Sequence, residues 1–558
     1  MSTIPTAQLV LGYKEYFKVD PPKDRISIIQ KICRRNLIVE FSGLNYRLKP
    51  NTSKYHDTSL ETQKKELQYF CGIDANLHKK YAIIADSYTP NKEDHPLIFI
   101  RQTCLFALEE IIQSDLPVIE NFNMDRMEVW DSIFKYILAV NSAITAISAE
   151  PEGESVTLEA INPKMLPLNE LNINLDPIYT PYRGYRLLEY LSNHELLKDK
   201  LVEYFKETYD VTFDYFVYET LGMSFNNTNR NPELRFYYNV PETSNKLFEQ
   251  LSRIHKSTEL SKLLSLKKYP FYKDKENSYI LMDANFLLEK TYNQFINDFW
   301  FGVVKDSRMI DGSEFMNIRK YRSIIGYFFE TYITEIVKYS FEKAKYYVIK
   351  LFEELKINKN TGDIEIADLY VRFNSKIILG QVKSTNIYDK EKYGGSIDTF
   401  YNNNRAKFFD TYGLSQLVRS IKQLDDTIPE IDKKFPKGKS IRIFPIIIVN
   451  EKGLQTPLMG KIFQDRFIEL LGELKSKKVH IYPLSVIHVS DLEIIQDFLN
   501  ENPNQIWDLL RYHCRNPHFM PPFYNSIIRS NIRTNYKRSY TIYTSLIQKF
   551  HTEPSKTI

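Results

Sequence analysis

Ile364-Glu365-Ile366-Ala367-Asp368-Leu369-Tyr370-Val371 and Ile377-Ile378-Leu379-Gly380-Gln381-Val382-Lys383 decide how this chain reads. Both runs are apolar and rich in β-branched residues, and Asn374-Ser375 between them marks a hairpin with a two-residue loop. With that loop Phe373 faces Lys376, and stepping outward sets Asp368 opposite Gln381, on a shared face. Lys383 is two residues from Gln381 and shares the face as well. A slip of one residue would part the three, so the register is a sharp expectation. Glu365 and Asp363 are nearby alternatives to Asp368, but Glu365 points to the other face in this register.

The preceding helix supplies a second acid. From Ile324 to Lys350 the apolar residues recur at helical spacing. Glu330 shares a stripe with Ile333, Val337, Phe341 and Ala344, the face expected to pack inward. Thr331, Glu335, Lys338, Glu342 and Lys345 line the solvated face. A Glu on a buried stripe needs a partner; a metal ion is one, and an ion pair with Lys383 is the other. Two carboxylates, an amide oxygen and an ammonium converging on one point suit a divalent cation and an attacked phosphodiester.

A Gly-x-x-Phe-Glu helix (Gly326 to Glu330), then Asp368 and a Gln-x-Lys on a hairpin, resembles the PD-(D/E)xK nuclease superfamily. The Gln variant is similar to Mrr-type restriction endonucleases and TnsA-type transposon-end nucleases. The resemblance covers about the C-terminal 250 residues, the size of one domain. It implies that Glu330, Asp368, Gln381 and the Val382 carbonyl hold Mg²⁺ or Mn²⁺. It implies that Lys383 orients or deprotonates the attacking water and steadies the phosphate. Ser384 and Gln416 would be phosphate contacts or support the ligands. Ala367 stands where the family places a Pro, so that position adds nothing.

Downstream, 405–426 reads as an amphipathic helix with Phe408, Leu414, Leu417, Val418, Ile421 and Leu424 as its apolar set. Ile441 to Asn450 reads as a strand covered on both faces. A helix at 461–474 and a strand at Val479–Val489 follow, with Ser490-Asp491-Leu492-Glu493 as a capping box for the next helix. The expected fold is therefore an α/β restriction-endonuclease-like C-terminal domain, a central mixed sheet flanked by helices, behind a mainly α-helical N-terminal region. The polar loop Asn386 to Asn404 reads equally as a surface loop or a substrate clamp.

The chain has 558 residues and a net charge of +4 that hides an asymmetry. Residues 301–558 hold 39 Lys/Arg against 29 Asp/Glu, and residues 1–300 hold 35 against 41. The basic half is the one with the acid–lysine constellation, as suits a polyanion-binding domain. Arg405, Lys407 and Arg419 on the 405–426 helix are expected nucleic-acid contacts. So are Arg533, Lys537 and Arg538 in the tail from Arg529 to Lys549, where Tyr536, Tyr540 and Tyr543 interleave. Tyrosines packed on the domain are the competing reading of that tail. Four scattered cysteines give no disulfide framework and fit a reducing cytoplasm. His513, Cys514 and His518 lack a second pair at ligand spacing and read as structural. No run of eighteen apolar residues and no basic-then-apolar leader exists, so no membrane span is expected.

The first 300 residues show amphipathic stretches at 97–114, 127–148, 183–209 and 285–299, and Tyr269–Asp283 reads as a short hairpin. The Pro/Asn/Glu-rich stretch Glu150–Pro181 suggests a helical domain at 1–150, a recognition or regulatory domain at 151–305, and the nuclease-like domain at 306–558. There is no Walker loop, so translocation on DNA would call for an ATPase partner. The expected function is metal-dependent DNA cleavage in restriction or anti-phage defence, with a homodimer or partner for double-strand cuts. RNA cleavage, a transposition role, and a non-catalytic binding protein with a degenerate nuclease fold are the alternatives.

Overall fold

The computed structural model describes residues 9–49, 54–71, 75–88, 95–119, 125–148, 165–226, 236–253, 263–309, 312, 314–359, 362–388, 392, 405–436, 438–456, 459–473, 479–516, 520–532 and 537–552. Among them no helix is long and apolar enough to cross a membrane. Cys33, Cys104 and Cys514 are buried free thiols. The chain forms two compact units, each drawn from separate segments. One takes Met1–Glu154, Leu171–Pro177 and Val202–Phe295; the other takes Ser155–Glu170, Ile178–Leu201 and Ile296–Ile558.

The first unit is mainly helical. The stretches at 97–114 and 127–148 fold as Arg101–Gln113 and Arg126–Ser148, and Arg34–Arg47 packs on the first of these. The hairpin expected at 269–283 forms from Phe271–Lys275 and Ser278–Leu281, with Tyr237–Asn239 added along its second strand. After it, the buried Asp283 pairs with Arg101 at 2.7 Å and caps the following helix through the Phe286 amide at 2.9 Å.

The second unit carries the mixed sheet. Its strands are β1 (Val348–Leu351), β2 (Lys356–Lys359), β3 (Gly362–Glu365), β4 (Leu369–Phe373), β5 (Lys376–Lys383), β6 (Ile441–Val449), β7 (Val479–Ile481) and β8 (Ser485–His488). Its helices include α1 (Ile318–Ser340), α2 (Arg405–Thr411), α3 (Leu414–Ile431), α4 (Met459–Leu471), α5 (Val489–Glu501) and α6 (Lys537–Thr552). The order across the sheet is β7/β8, β6, β5, β4, β1. Strands β5 to β8 are parallel, β4 alone runs against them and pairs antiparallel with both β5 and β1, and β2 with β3 forms a separate antiparallel two-stranded ribbon.

Strand β6 carries Pro445 in the middle of a sheet, a position that normally forbids it. The register explains the exception. The Arg442 amide bonds to the Ser375 carbonyl, so even-numbered amides of β6 face β5 and the missing N–H of Pro445 falls on the far side. There Tyr482-Pro483-Leu484 interrupts the neighbouring strand and parts β7 from β8, so no partner loses its donor. Odd-numbered Ile441, Ile443, Ile447 and Val449 join one core with Tyr370, Ile377 and Leu379, which Leu417, Ile421, Leu424 and Phe463 cover from α3 and α4.

Five local expectations are corrected. The helix expected to reach Lys350 ends at Ser340, where the Asn500 side-chain amide caps the Tyr339 carbonyl at 2.7 Å and frees 348–351 to become an edge strand. The strand expected from Ile364 is two strands, β3 and β4. Between them the Ile366 amide turns to the Leu355 carbonyl, so Glu365 belongs to the ribbon. The 405–426 helix breaks at Gly413, whose φ is +77°. The strand expected at Val479–Val489 is two, parted as described at Tyr482–Leu484. The cap of α5 is His488, which accepts the Ser490 amide through Nδ1 at 3.1 Å; its reciprocal partner is Asp491, while Glu493 lies inside the helix. There Glu493 takes Arg183 at 2.8 Å and the Tyr332 hydroxyl at 2.7 Å.

Candidate active site

The hairpin register is the expected one: Phe373 pairs with Lys376 and Leu369 with Gly380. The ladder stops there, one residue short of Asp368. The Asp368 amide still bonds to the Gly380 carbonyl at 3.0 Å, but its side chain takes over the next rung, Oδ2 accepting the Val382 amide at 2.7 Å. This carboxylate is therefore fixed at the carboxyl end of β5 by main chain, not by side-chain packing alone. The Lys383 ammonium reaches the same Oδ2 at 3.4 Å. On its other side, the Lys383 carbonyl accepts the Asn450 amide from beyond β6. The alternation of strand geometry then turns the Val382 carbonyl toward Asp368.

Gly413 shows which side chains meet on this face. A β-carbon built on it would lie 2.5 Å from Lys383 Cε, 3.2 Å from Gln381 Cβ and 3.3 Å from Gln416 Oε1. Gln381, Lys383 and Gln416 thus gather around a position where only glycine fits, both for space and for its positive φ. Gly413→Ala should push Lys383 off Asp368 and cost about 1–2 kcal/mol of stability. Any catalysis by the site should fall with it. A variant with wild-type melting and wild-type turnover would contradict this geometry.

Glu330 lies half-buried on α1, which also packs on β5. Burial first, then the charges of Asp368 and Glu365, push its carboxyl up to about 7, with Lys383 opposing. Among the described residues no hydrogen bond or ion pair engages it, so the expected alternative of a Glu330–Lys383 salt bridge does not form; Lys383 pairs with Asp368 instead. Glu365 feels the same group. Partial burial and Asp368 hold its carboxyl above the ordinary range, although Glu365 is largely exposed at the end of the β2–β3 ribbon.

Among the described residues no three His, Cys, Asp or Glu side chains stand close enough to hold a metal ion by themselves. The set here offers two such acids, Glu330 and Asp368. The Gln381 amide oxygen and the Val382 carbonyl would have to complete the sphere, all hard oxygen donors of the kind Mg²⁺ or Mn²⁺ takes. A half-buried carboxyl without a hydrogen bond, beside a second acid, is the environment a divalent cation relieves. In donor type, all oxygen, the set matches such an ion, with two acids rather than three.

The residues expected to touch nucleic acid are dispersed. Ser384 faces Gly326, where a β-carbon would sit 3.7 Å from its Oγ. Lys407 on α2, and Gln416 and Arg419 on α3, are exposed; Arg405 opens α2. Lys537 is exposed on α6, and Arg533 lies outside the described residues. Arg538 is half-buried: its guanidinium lies 4.0 Å over the Tyr339 ring and its amide bonds to Asp497, so it packs α6 onto the unit. His513 is also structural, bonded to Ser526 at 2.8 Å and pushed down to about 4 by burial; His518 lies outside the described residues. Of the polar loop 386–404, only 386–388 and Lys392 are described.

Comparisons with protein-family models, with curated proteins and with solved structures find no match to this chain.

Proposed function

We propose that the C-terminal unit is a metal-dependent endodeoxyribonuclease of restriction or anti-phage type, with Glu330, Asp368, Gln381 and Lys383 as its catalytic set. The observation that supports it most is the meeting of Lys383 with Asp368 at the carboxyl end of β5, with Gln381 and Gln416 packed around Gly413. Bound Mg²⁺ or Mn²⁺ would supply positive charge against the scissile phosphate. Asp368, anchored by the Val382 amide, and Glu330, raised in pKa, are the anionic ligands. Lys383 stands on a rigid strand, and its ammonium can orient a water and steady the negative charge that develops on the phosphate. One such site cuts one strand, so a double-strand break requires a second copy or a partner.

The Lys383–Asp368 pair favours one other reading, a nucleic-acid-binding unit in which the pair is structural. Supercoiled plasmid incubated with Mg²⁺ or Mn²⁺ separates the two, with wild type beside Lys383→Ala. Metal-dependent nicking that falls at least about a hundredfold in the variant is expected. Cutting unchanged by the substitution would place the activity elsewhere, and no metal effect on cutting or melting would leave the structural reading.

A further inference from the structure

Beyond these acids, α1 leads to a surface that the tail and the 405–419 cations do not include. The helix Asn293–Phe299 widens into a π-turn over Trp300–Val304, closed by the Lys305 amide on the Trp300 carbonyl at 2.8 Å. Such turns re-aim side chains and recur at functional sites. Trp300 and Val304 are buried, Trp300 stacking on Tyr321 at 5.2 Å, while Phe301 is thrown outward and left 59% exposed. The ring is held in place. Tyr388 meets it edge-on at 5.7 Å, and Arg322 fixes Tyr388 by donating to its hydroxyl at 2.6 Å and lying 5.3 Å over its ring.

We propose that Phe301, Tyr388 and Arg322 form a platform that stacks an unpaired base, so that the substrate is DNA with a single-stranded segment beside the cut. This rests on the nuclease reading above. Arg322, Gly326 and Glu330 follow one another at four-residue spacing on α1, which places the platform about 12 Å along the helix from the catalytic acid. The segment after β5 runs beside them, Ser384 facing Gly326 and Tyr388 facing Arg322. A strand whose phosphate lies at Lys383 therefore passes the small residues Gly326 and Ser384 and reaches Phe301 a few nucleotides on, at about 3.4 Å of rise each when stacked.

Charge selects the partner. Lys305, Arg308, Arg319 and Lys320 are exposed on the same connected stretch, whose acids are Asp306, Asp311 and Glu314. The centres of protein–protein interfaces are poor in charge, whereas an aromatic ring among cations is the usual platform for an unpaired strand. Bases inside a duplex are stacked on each other and show a protein only their edges, so a flat ring gains nothing from paired DNA.

Binding of a short labelled oligonucleotide, followed by anisotropy in EDTA, tests this without catalysis. Phe301→Ala and Phe301→Leu should each weaken single-stranded DNA binding roughly five- to a hundredfold, and Phe301→Trp should restore it. Duplex binding should change less than about twofold, the loss of one ring being the only difference. Equal losses on duplex, unchanged single-strand binding, or rescue by Leu would overturn the proposal. If wild type cuts DNA while these variants bind normally, the platform fails and the nuclease stands. If the variants lose single-strand binding but wild type never cuts, the nuclease reading fails and the platform stands.

Discussion

Glu330→Gln should make the metal-free protein more stable above pH 7 while abolishing its response to divalent cations. The carboxyl has a folded pKa near 7 against an ordinary 4.5, because burial and the neighbouring acids Asp368 and Glu365 favour its protonated form. A carboxyl raised in the folded state binds more protons folded than unfolded between those two values. Stability therefore falls as pH rises from 4.5 to 7 and stays low above it. Gln carries no such titration. Discounted for the part of the group that water still reaches, the gain at pH 8 is about 1–2 kcal/mol. Mg²⁺ or Mn²⁺ should then stabilise wild type by about 2–3 kcal/mol at a hundredfold excess over its Kd and leave the variant unmoved. Cleavage should fall about 10²- to 10³-fold. Melting curves across pH, with and without metal, read all of this. Equal metal stabilisation of both proteins would remove Glu330 from the ligand set, and a variant less stable at pH 8 would mean that the carboxylate has a partner.

That prediction depends on features of unequal visibility in the sequence. The Asn374-Ser375 loop between two apolar runs carries the hairpin register, and a slip of one residue would part Asp368 from Gln381 and Lys383. The stripe holding Glu330 is equally local, and Ile333 and Val337 beside it are indeed buried. Where α1 ends is not local at all. Its last carbonyls are capped from α5 by Asn500, so periodicity ran on through Phe341 toward a segment that is really β1. Asp368 lies just off its strand because its carboxylate, not its backbone, completes the rung at Val382, which hydrophobic patterning cannot report. The break at Gly413 is hidden in the sequence because the apolar set on both sides of it continues in phase. The Phe301–Arg322 surface was missed because its cations alternate with the buried Trp300, Met316 and Tyr321, whereas those in the tail stand close together.

Lys392→Met should cost about 3–5 kcal/mol of stability, more than most single substitutions in the core. Lys392 follows the active-site strand by nine residues and is buried between two carboxylates, Glu170 at 2.8 Å and Glu451 at 2.5 Å. Glu451 also accepts the Ile387 amide at 2.7 Å and the Gly453 amide at 2.8 Å, tying the chain after β5 to the chain after β6. Removing the ammonium leaves two buried acids facing each other without the cation that bridges them. Burial already holds the Glu451 carboxyl above its usual range with Lys392 opposing, so the variant should raise it further. The sign follows from linkage: the destabilisation is largest above neutrality and shrinks as pH falls and the acids take up protons. Adding Glu170→Gln and Glu451→Gln to Lys392→Met should recover most of the loss, because the penalty lies in unpaired charge and not in lost volume. Denaturant melts at pH 5 and pH 8 distinguish the causes. A loss independent of pH and unrelieved by the two amides would mean that Lys392 acts through packing of its methylenes.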